Sequence, residues 1–279
     1  MRAFIDSNRI RERFESYFLR KKPVILTGPT GCGKTTLVET VSSEHRLPLE
    51  TVVCYHDMTV RDLLGGWTLK DSSSVWIDGP LTRAVKKGSV LYLDEIDQAP
   101  EEILSPLFSV LDHRKILTIP SLSVIYEVHK DFCFAGSYNP KIGRDLLPAA
   151  FRQRCLFIPV TYLSREEETE LIAADTGIDR ETAGKLLDIC HLIRHEDRVE
   201  LGTRPLLSAA EAIKSGFDFK QAVLDAIIYP LSDDPEYQKS LREVLHAKGF
   251  LPDDSLKIPE QEATAPAENL PVEDSDFIE

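Results

Sequence analysis

Val24-Ile25-Leu26-Thr27-Gly28-Pro29-Thr30-Gly31-Cys32-Gly33-Lys34-Thr35-Thr36 is the stretch on which the fold turns. Val24, Ile25 and Leu26 form a short apolar strand after Pro23. Residues 28–35 match GxxxxGK[ST] in full, and a helical pattern runs from Thr35 through Ser42. Strand, glycine-rich turn and helix are the context in which this motif binds phosphate. Its glycines let backbone N–H groups turn inward, and the helix N-terminus adds positive dipole. Lys34 can reach the terminal phosphates, and the Thr35 hydroxyl suits Mg2+. Gly28, Pro29, Thr30, Gly31, Cys32, Gly33, Lys34, Thr35 and Thr36 are therefore the candidate nucleotide-binding residues. Cys32 holds a variable position of the motif and reads as a small filler rather than a redox switch.

Further apolar runs at 49–53, 90–93, 133–136 and 155–160 are separated by helix-like or irregular stretches. Buried strands alternating with helices predict an α/β domain whose five-stranded, mostly parallel sheet carries helices on both faces. The run at 90–93 ends in Asp94-Glu95. Such a strand delivers its acids to the carboxyl edge, where open α/β sheets bind ligands. Asp94 is placed to hold Mg2+ with Thr35, and Glu95 to orient and polarise an attacking water. An acid in that role favours hydrolysis, because a small-molecule kinase must keep water from the γ-phosphate.

Residues 1–19 carry Phe4, Ile5, Ile10, Phe14, Phe18 and Leu19 near helical spacing. After Ser164 the pattern becomes all-helical, with helices predicted over 165–176, 179–195, 204–215, 218–229 and 235–248. Ser164 serves as an N-cap, with Glu166, Glu167 and Glu168 in the first turn. The expected organisation is an α/β domain over 1–163, a helical lid over 164–251 and an acidic tail over 252–279. That tail holds nine acids, four prolines and one lysine, a composition that predicts disorder.

The tail carries a net charge of −8 out of −13 for the whole chain, which leaves a mildly acidic body. Nucleic-acid binding needs a basic surface that displaces counterions, so this balance argues against nucleic acid as a constitutive partner. No apolar run is long enough to span a membrane, and the first 22 residues lack the apolar core of a secretory signal. The five cysteines are odd in number and scattered, as expected of reduced thiols in a cytoplasmic protein. His56, His113 and His129 are isolated and read as structural or surface residues.

The blocks GPTGCGKT (28–35), DLLGGW (62–67), VWIDGPLTRAVKKG (75–88), YLDEID (92–97), SYNP (137–140), FRQR (151–154) and GTR (202–204) occur in a telling order. In that order the sequence resembles the AAA+ ATPases of the MoxR branch, nearest the CbbQ/NirQ/NorQ group and its relative GvpN, over about residues 20–215. The resemblance implies a ring, usually a hexamer, with ATP and Mg2+ bound between subunits. It implies that Asn139 is the first sensor beside the γ-phosphate and that Arg204 is the lid arginine, with Thr203 capping a helix that begins near Pro205. It implies an arginine finger acting across the subunit boundary, for which Arg154 and Arg152 are both candidates; spacing alone does not choose. The segment 62–80 matches the insertion of this branch, and Trp67 and Trp76 either contact a client or pack the insertion down. The alternating pattern at 116–129 matches a second hairpin. In the group, the ATPase works with a von Willebrand factor A domain protein on a client such as Rubisco or a metalloenzyme, for example nitric oxide reductase. Two other readings share the nucleotide chemistry: a nucleic-acid-processing accessory motor, and a nucleotide switch that does not hydrolyse.

Overall fold

The computed structural model describes residues 9–140, 146–196 and 200–252. Phe4 and Ile5 of the predicted first helix, and the tail from residue 253, lie outside the described residues.

Helix α1 (Ile10–Leu19) precedes β1 (Val24–Thr27), and the glycine turn leads from β1 into α2 (Lys34–Glu44) and β2 (Leu49–Val53). A short helix α3 (Val60–Leu64) opens the antiparallel hairpin of β3 (Gly65–Lys70) and β4 (Ser73–Asp78). Then come α4 (Pro80–Lys87), β5 (Val90–Asp94) and α5 (Glu101–Leu111). A second hairpin, β6 (Ile116–Ile119) with β7 (Val124–Glu127), precedes β8 (Cys133–Tyr138), α6 (Ala149–Arg152) and β9 (Leu156–Pro159). Five strands form one parallel sheet in the order β2-β5-β8-β1-β9.

Central strands of a parallel sheet are covered on both faces, which is why they read as unbroken apolar runs. In β5, Leu91 and Leu93 join a core with α3, α4 and α5, while Val90 and Tyr92 join a second core with α1 and α2. Helix α4 shows its boundaries in the sequence: Pro80 sits at its start, and Gly88 ends it in the left-handed conformation.

A third core holds the helical part: α7 (Arg165–Thr176), α8 (Arg180–Glu196), α9 (Thr203–Lys214), α10 (Phe219–Val223), α11 (Tyr229–Leu231) and α12 (Pro235–Ala247). Ser164 caps α7 in a reciprocal capping box with Glu167, as its sequence predicts. Two predictions are corrected. Helix α9 begins at Thr203 with Gly202 at the N-cap, so Thr203 makes no cap, and Pro205 lies in the first turn, where its missing N–H costs nothing. The helix predicted over 218–229 is interrupted by a π turn over Leu224–Ile228, which ends two residues before Pro230, a residue with no N–H for the carbonyl one turn back. Among the described residues, no helix is long and apolar enough to cross a membrane.

Candidate nucleotide site

Strand register builds the site. Thr27 pairs with Tyr138, and Leu93 with Gly136. The ends of β1, β8 and β5 therefore lie side by side, and Gly28 after β1, Asn139 after β8 and Asp94 at the end of β5 meet at one edge. Alternation sends Tyr92 and Asp94 to the same side of β5. The residues after these strands, together with the lid, line a cleft of about 270 Å3. Thr30 through Thr36, Asp94, Glu95, Asn139 and Arg204 line it, along with Tyr138, Tyr162, Leu163, Leu171, Thr203 and Leu207.

Lys34 Nζ donates to the carbonyls of Gly28 (2.8 Å) and Pro29 (2.9 Å) and to Asn139 Oδ1 (2.7 Å). The loop's cation is thus held directly beside the residue predicted as first sensor. Asn139 Nδ2 donates to Thr30 Oγ1 at 2.6 Å. Gly31 and Gly33 both take positive φ, +76° and +91°, which side chains resist. Burial raises the Cys32 thiol above its ordinary value, which agrees with a filler role.

Thr35 Oγ1 donates to Asp94 Oδ2 at 2.8 Å. Asp94 Oδ1 accepts from Ser137 Oγ and from the Glu95 N–H, and Tyr92 Oη donates to Ser137 Oγ at 2.9 Å. Tyr92 is fully buried, and burial pushes its phenol up, so it keeps the proton it donates. These positioning residues escape motif reading because Tyr92 and Ser137 look like ordinary strand residues. Among the described residues no cluster of three or more histidine, cysteine or acidic groups could hold a metal by itself. Two adjacent oxygen donors, Thr35 and Asp94, nevertheless fit Mg2+, which usually takes one or two protein oxygens and completes its shell with phosphates and water.

Glu95 is exposed at the cleft and has φ +53°. A left-handed glutamate is unusual, and such strain gathers at functional positions. Arg152 and Arg154 do not line the cleft. Arg152 is exposed, with its guanidinium 6.0 Å from the Phe157 ring centroid. Arg154 is half-buried, 4.9 Å from the Phe108 ring centroid and 4.0 Å from Asp112.

The lid reaches the loop through residues that spacing could not disclose. Glu168 is fully buried and accepts from Thr203 Oγ1 (2.7 Å) and from both terminal nitrogens of Arg194 (3.2 and 3.3 Å). The sequence places Glu168 in a first turn as a dipole partner. Its position four residues before the buried Ile172 was the available signal that it lies on the inward face. Arg194 Nε donates to Leu201 O at 2.6 Å, and its guanidinium lies 3.8 Å from the Tyr162 ring centroid. Glu200 accepts from the Thr30 N–H at 3.3 Å.

Trp67 and Trp76 face each other across the β3–β4 hairpin in an edge-on pair, centroids 5.8 Å apart. Trp76 packs against the main core and donates to Asp78 Oδ1, whereas Trp67 is half exposed on the same strand face as the exposed Leu69. Trp76 thus packs the insertion onto its own domain.

A parallel sheet with a phosphate loop, a strand-end acid pair and a helical lid over one cleft defines an AAA-type nucleoside triphosphatase. Residues 23–155 match the AAA domain (dynein-related subfamily), and residues 168–248 match the CbbQ/NirQ/NorQ C-terminal family. Protein CbbQ of Hydrogenophilus thermoluteolus is 36% identical over 237 residues, covering 83% of this chain and 89% of that protein. Protein NorQ of Paracoccus denitrificans is 36% identical over 241 residues, covering 84% and 89%. The denitrification regulatory protein NirQ of Stutzerimonas stutzeri is 32% identical over 240 residues, covering 84% and 87%. The chain belongs to the CbbQ/NirQ/NorQ family of AAA ATPases. NtrX of Brucella abortus, solved with ADP, superposes with a TM-score of 0.58 at 18% identity over 88% of this chain, which spans 62% of that structure. That likeness concerns the fold.

Proposed function

We propose that this chain is the motor subunit of a cytoplasmic ring, a hexamer by family resemblance, that hydrolyses ATP with Mg2+ to remodel a protein client. The observation that carries the proposal is the convergence of Lys34, Thr35, Asp94, Glu95, Asn139 and Arg204 on one cleft, five from the sheet side and one from the lid. In this reading residues 1–163 and 164–251 move against each other.

Thr30 to Thr36 bind the phosphates, with Lys34 on the terminal ones. Leu163, Leu171 and Leu207 offer an apolar wall for the base. Thr35 and Asp94 would hold Mg2+, which supplies charge neutralisation on the phosphates when bound. Glu95 orients water, Asn139 links that water to the phosphate end, and Arg204 reports the phosphate to the lid. Arg152 and Arg154 lie away from their own cleft, as a finger serving a neighbour's cleft must. The denitrification regulatory protein NirQ carries a name that points to denitrification. A von Willebrand factor A domain partner, with Rubisco or a metalloenzyme such as nitric oxide reductase as client, is the extension this family membership supports.

The test is affinity capture from native extract with Glu95→Gln in the presence of ATP, read by mass spectrometry. Recovery of a von Willebrand A-domain protein with an enzyme subunit is the expected result. Recovery of a nuclease, a replication protein or nucleic acid would replace the client reading and leave the ATPase.

A further inference from the structure

We infer that Tyr162 is a positioning residue that aims one phosphate-binding amide, and that the lid sets the shape of the phosphate loop through it; this rests on the nucleotide-binding reading above. Tyr162 lies where the chain passes from β9 to α7. Its hydroxyl donates to the Thr30 carbonyl at 3.1 Å. Burial pushes its phenol up to about 12, so the donor proton stays in place at any working pH.

The carbonyl of Thr30 and the N–H of Gly31 belong to one rigid trans peptide plane and point in opposite directions. Pinning the carbonyl therefore fixes the direction of the Gly31 N–H, one of the amides of the phosphate cradle. The pin is needed there, because Gly31 has φ +76° and no side chain to limit rotation of that plane.

The other end of Tyr162 is anchored in the lid. Arg194 stacks on its ring, and Arg194 is itself forked onto the buried Glu168 and tied to Leu201 O. Glu168 also receives Thr203, the first residue of α9, whose next residue is Arg204. On the loop side Thr30 Oγ1 accepts from Asn139, which accepts from Lys34. An unbroken series of contacts thus runs Glu168–Arg194–Tyr162–Thr30–Asn139–Lys34. Thr30 occupies a variable position of the motif, so phosphate chemistry does not dictate it; its polar groups serve the lid and Asn139 instead.

Tyr162→Phe tests the inference, because it keeps the ring and its stack on Arg194 and removes only the hydroxyl. Affinities for ADP and AMP are measured on the full chain by calorimetry, with ATP turnover alongside. Losing one neutral hydrogen bond from the pin should weaken ADP binding and raise KM for ATP roughly five- to tenfold. AMP affinity and kcat should stay within about twofold. The ADP-to-AMP affinity ratio is internal to each preparation, so a reduced folded fraction does not mimic the effect. Tyr162→Leu, which removes the stack as well, should lower both affinities and the thermal midpoint. An unchanged ADP-to-AMP ratio in Tyr162→Phe overturns the inference while leaving the nucleotide site standing. Failure of the wild-type chain to bind ADP overturns both.

Discussion

Thr35 Oγ1 and Asp94 Oδ2 are 2.8 Å apart, although 59 residues separate them in the chain. The pair brings together the two oxygens suited to a divalent cation at the mouth of the phosphate loop. Asp94→Asn keeps the shape and removes the charge. The stimulation of ATP binding by Mg2+ should fall at least tenfold in Asp94→Asn, while ADP binding in chelator changes little. Equal Mg2+ dependence in both proteins would remove Asp94 from the metal.

Glu95 stands exposed in the cleft with a left-handed backbone. Glu95→Gln preserves size and hydrogen bonding but cannot accept a proton from water. Turnover should drop by about 10²-fold or more, the range typical of a lost general base, with ATP affinity within about threefold of wild type. Single-turnover and equilibrium binding measurements on the same preparation separate the two effects.

Gly202 has an ordinary φ of −77°, so its backbone would accept alanine. Its surroundings would not: a Cβ there would lie 2.7 Å from Thr30 O and 2.9 Å from Gly31 Cα. Gly202→Ala must push the lid off the phosphate loop or strain both. We expect a loss of about 1–3 kcal/mol in stability, the usual range for overpacking, and at least tenfold weaker ATP binding. Wild-type affinity in this variant would mean that lid and loop need not touch.

Glu168 and Arg194 form a buried ion pair, with Arg194 only 12% exposed in its side chain. Arg194→Met strands the carboxylate and should cost about 3–5 kcal/mol in urea unfolding. Glu168→Leu with Arg194→Met removes both charges and should recover most of that loss, though it also unpairs Thr203. Additive losses would show that the two residues act separately.

Cys54 and Cys190 are buried, and burial pushes both thiols up to about 12 from an ordinary 9.0. Between those values the unfolded chain gives up protons that the folded chain keeps. Stability contributed by these thiols is therefore intact below about pH 9 and is lost as pH rises toward 12, by at most about 1.4 kcal/mol per thiol per pH unit. Replacing both by alanine or valine should flatten that part of the stability profile. Slow alkylation of the folded protein at pH 8 is the quicker check.

The phosphate loop and Asp94-Glu95 were legible because each is a continuous stretch whose chemistry depends on its own backbone. Asn139 was legible one step further on, as the residue just beyond a strand. The five strands declared themselves by apolar runs and the second hairpin by alternation, whereas the first was legible only as the insertion that the resemblance implies. Tyr92, Ser137, Tyr162, Glu168 and Arg194 were not legible, since each acquires its role from a partner distant in sequence: Arg194 meets Glu168 across 26 residues, and Tyr162 meets Thr30 across 132. The start of α9 was misplaced by one residue because Thr203 resembles a cap, yet its hydroxyl is committed to Glu168.

The pairing of β8 between β5 and β1 gives the sheet interior a hold over chemistry that it never touches. A slip of β8 by one residue would move Asn139 by about 3.3 Å and turn Ser137 to the opposite face, away from Asp94. Phe134, Ala135 and Gly136 guard against that slip by fitting the cores on either side. Selection on turnover therefore reaches into these silent positions. Their substitutions should surface as misaligned, slow enzymes well before they surface as unfolded ones.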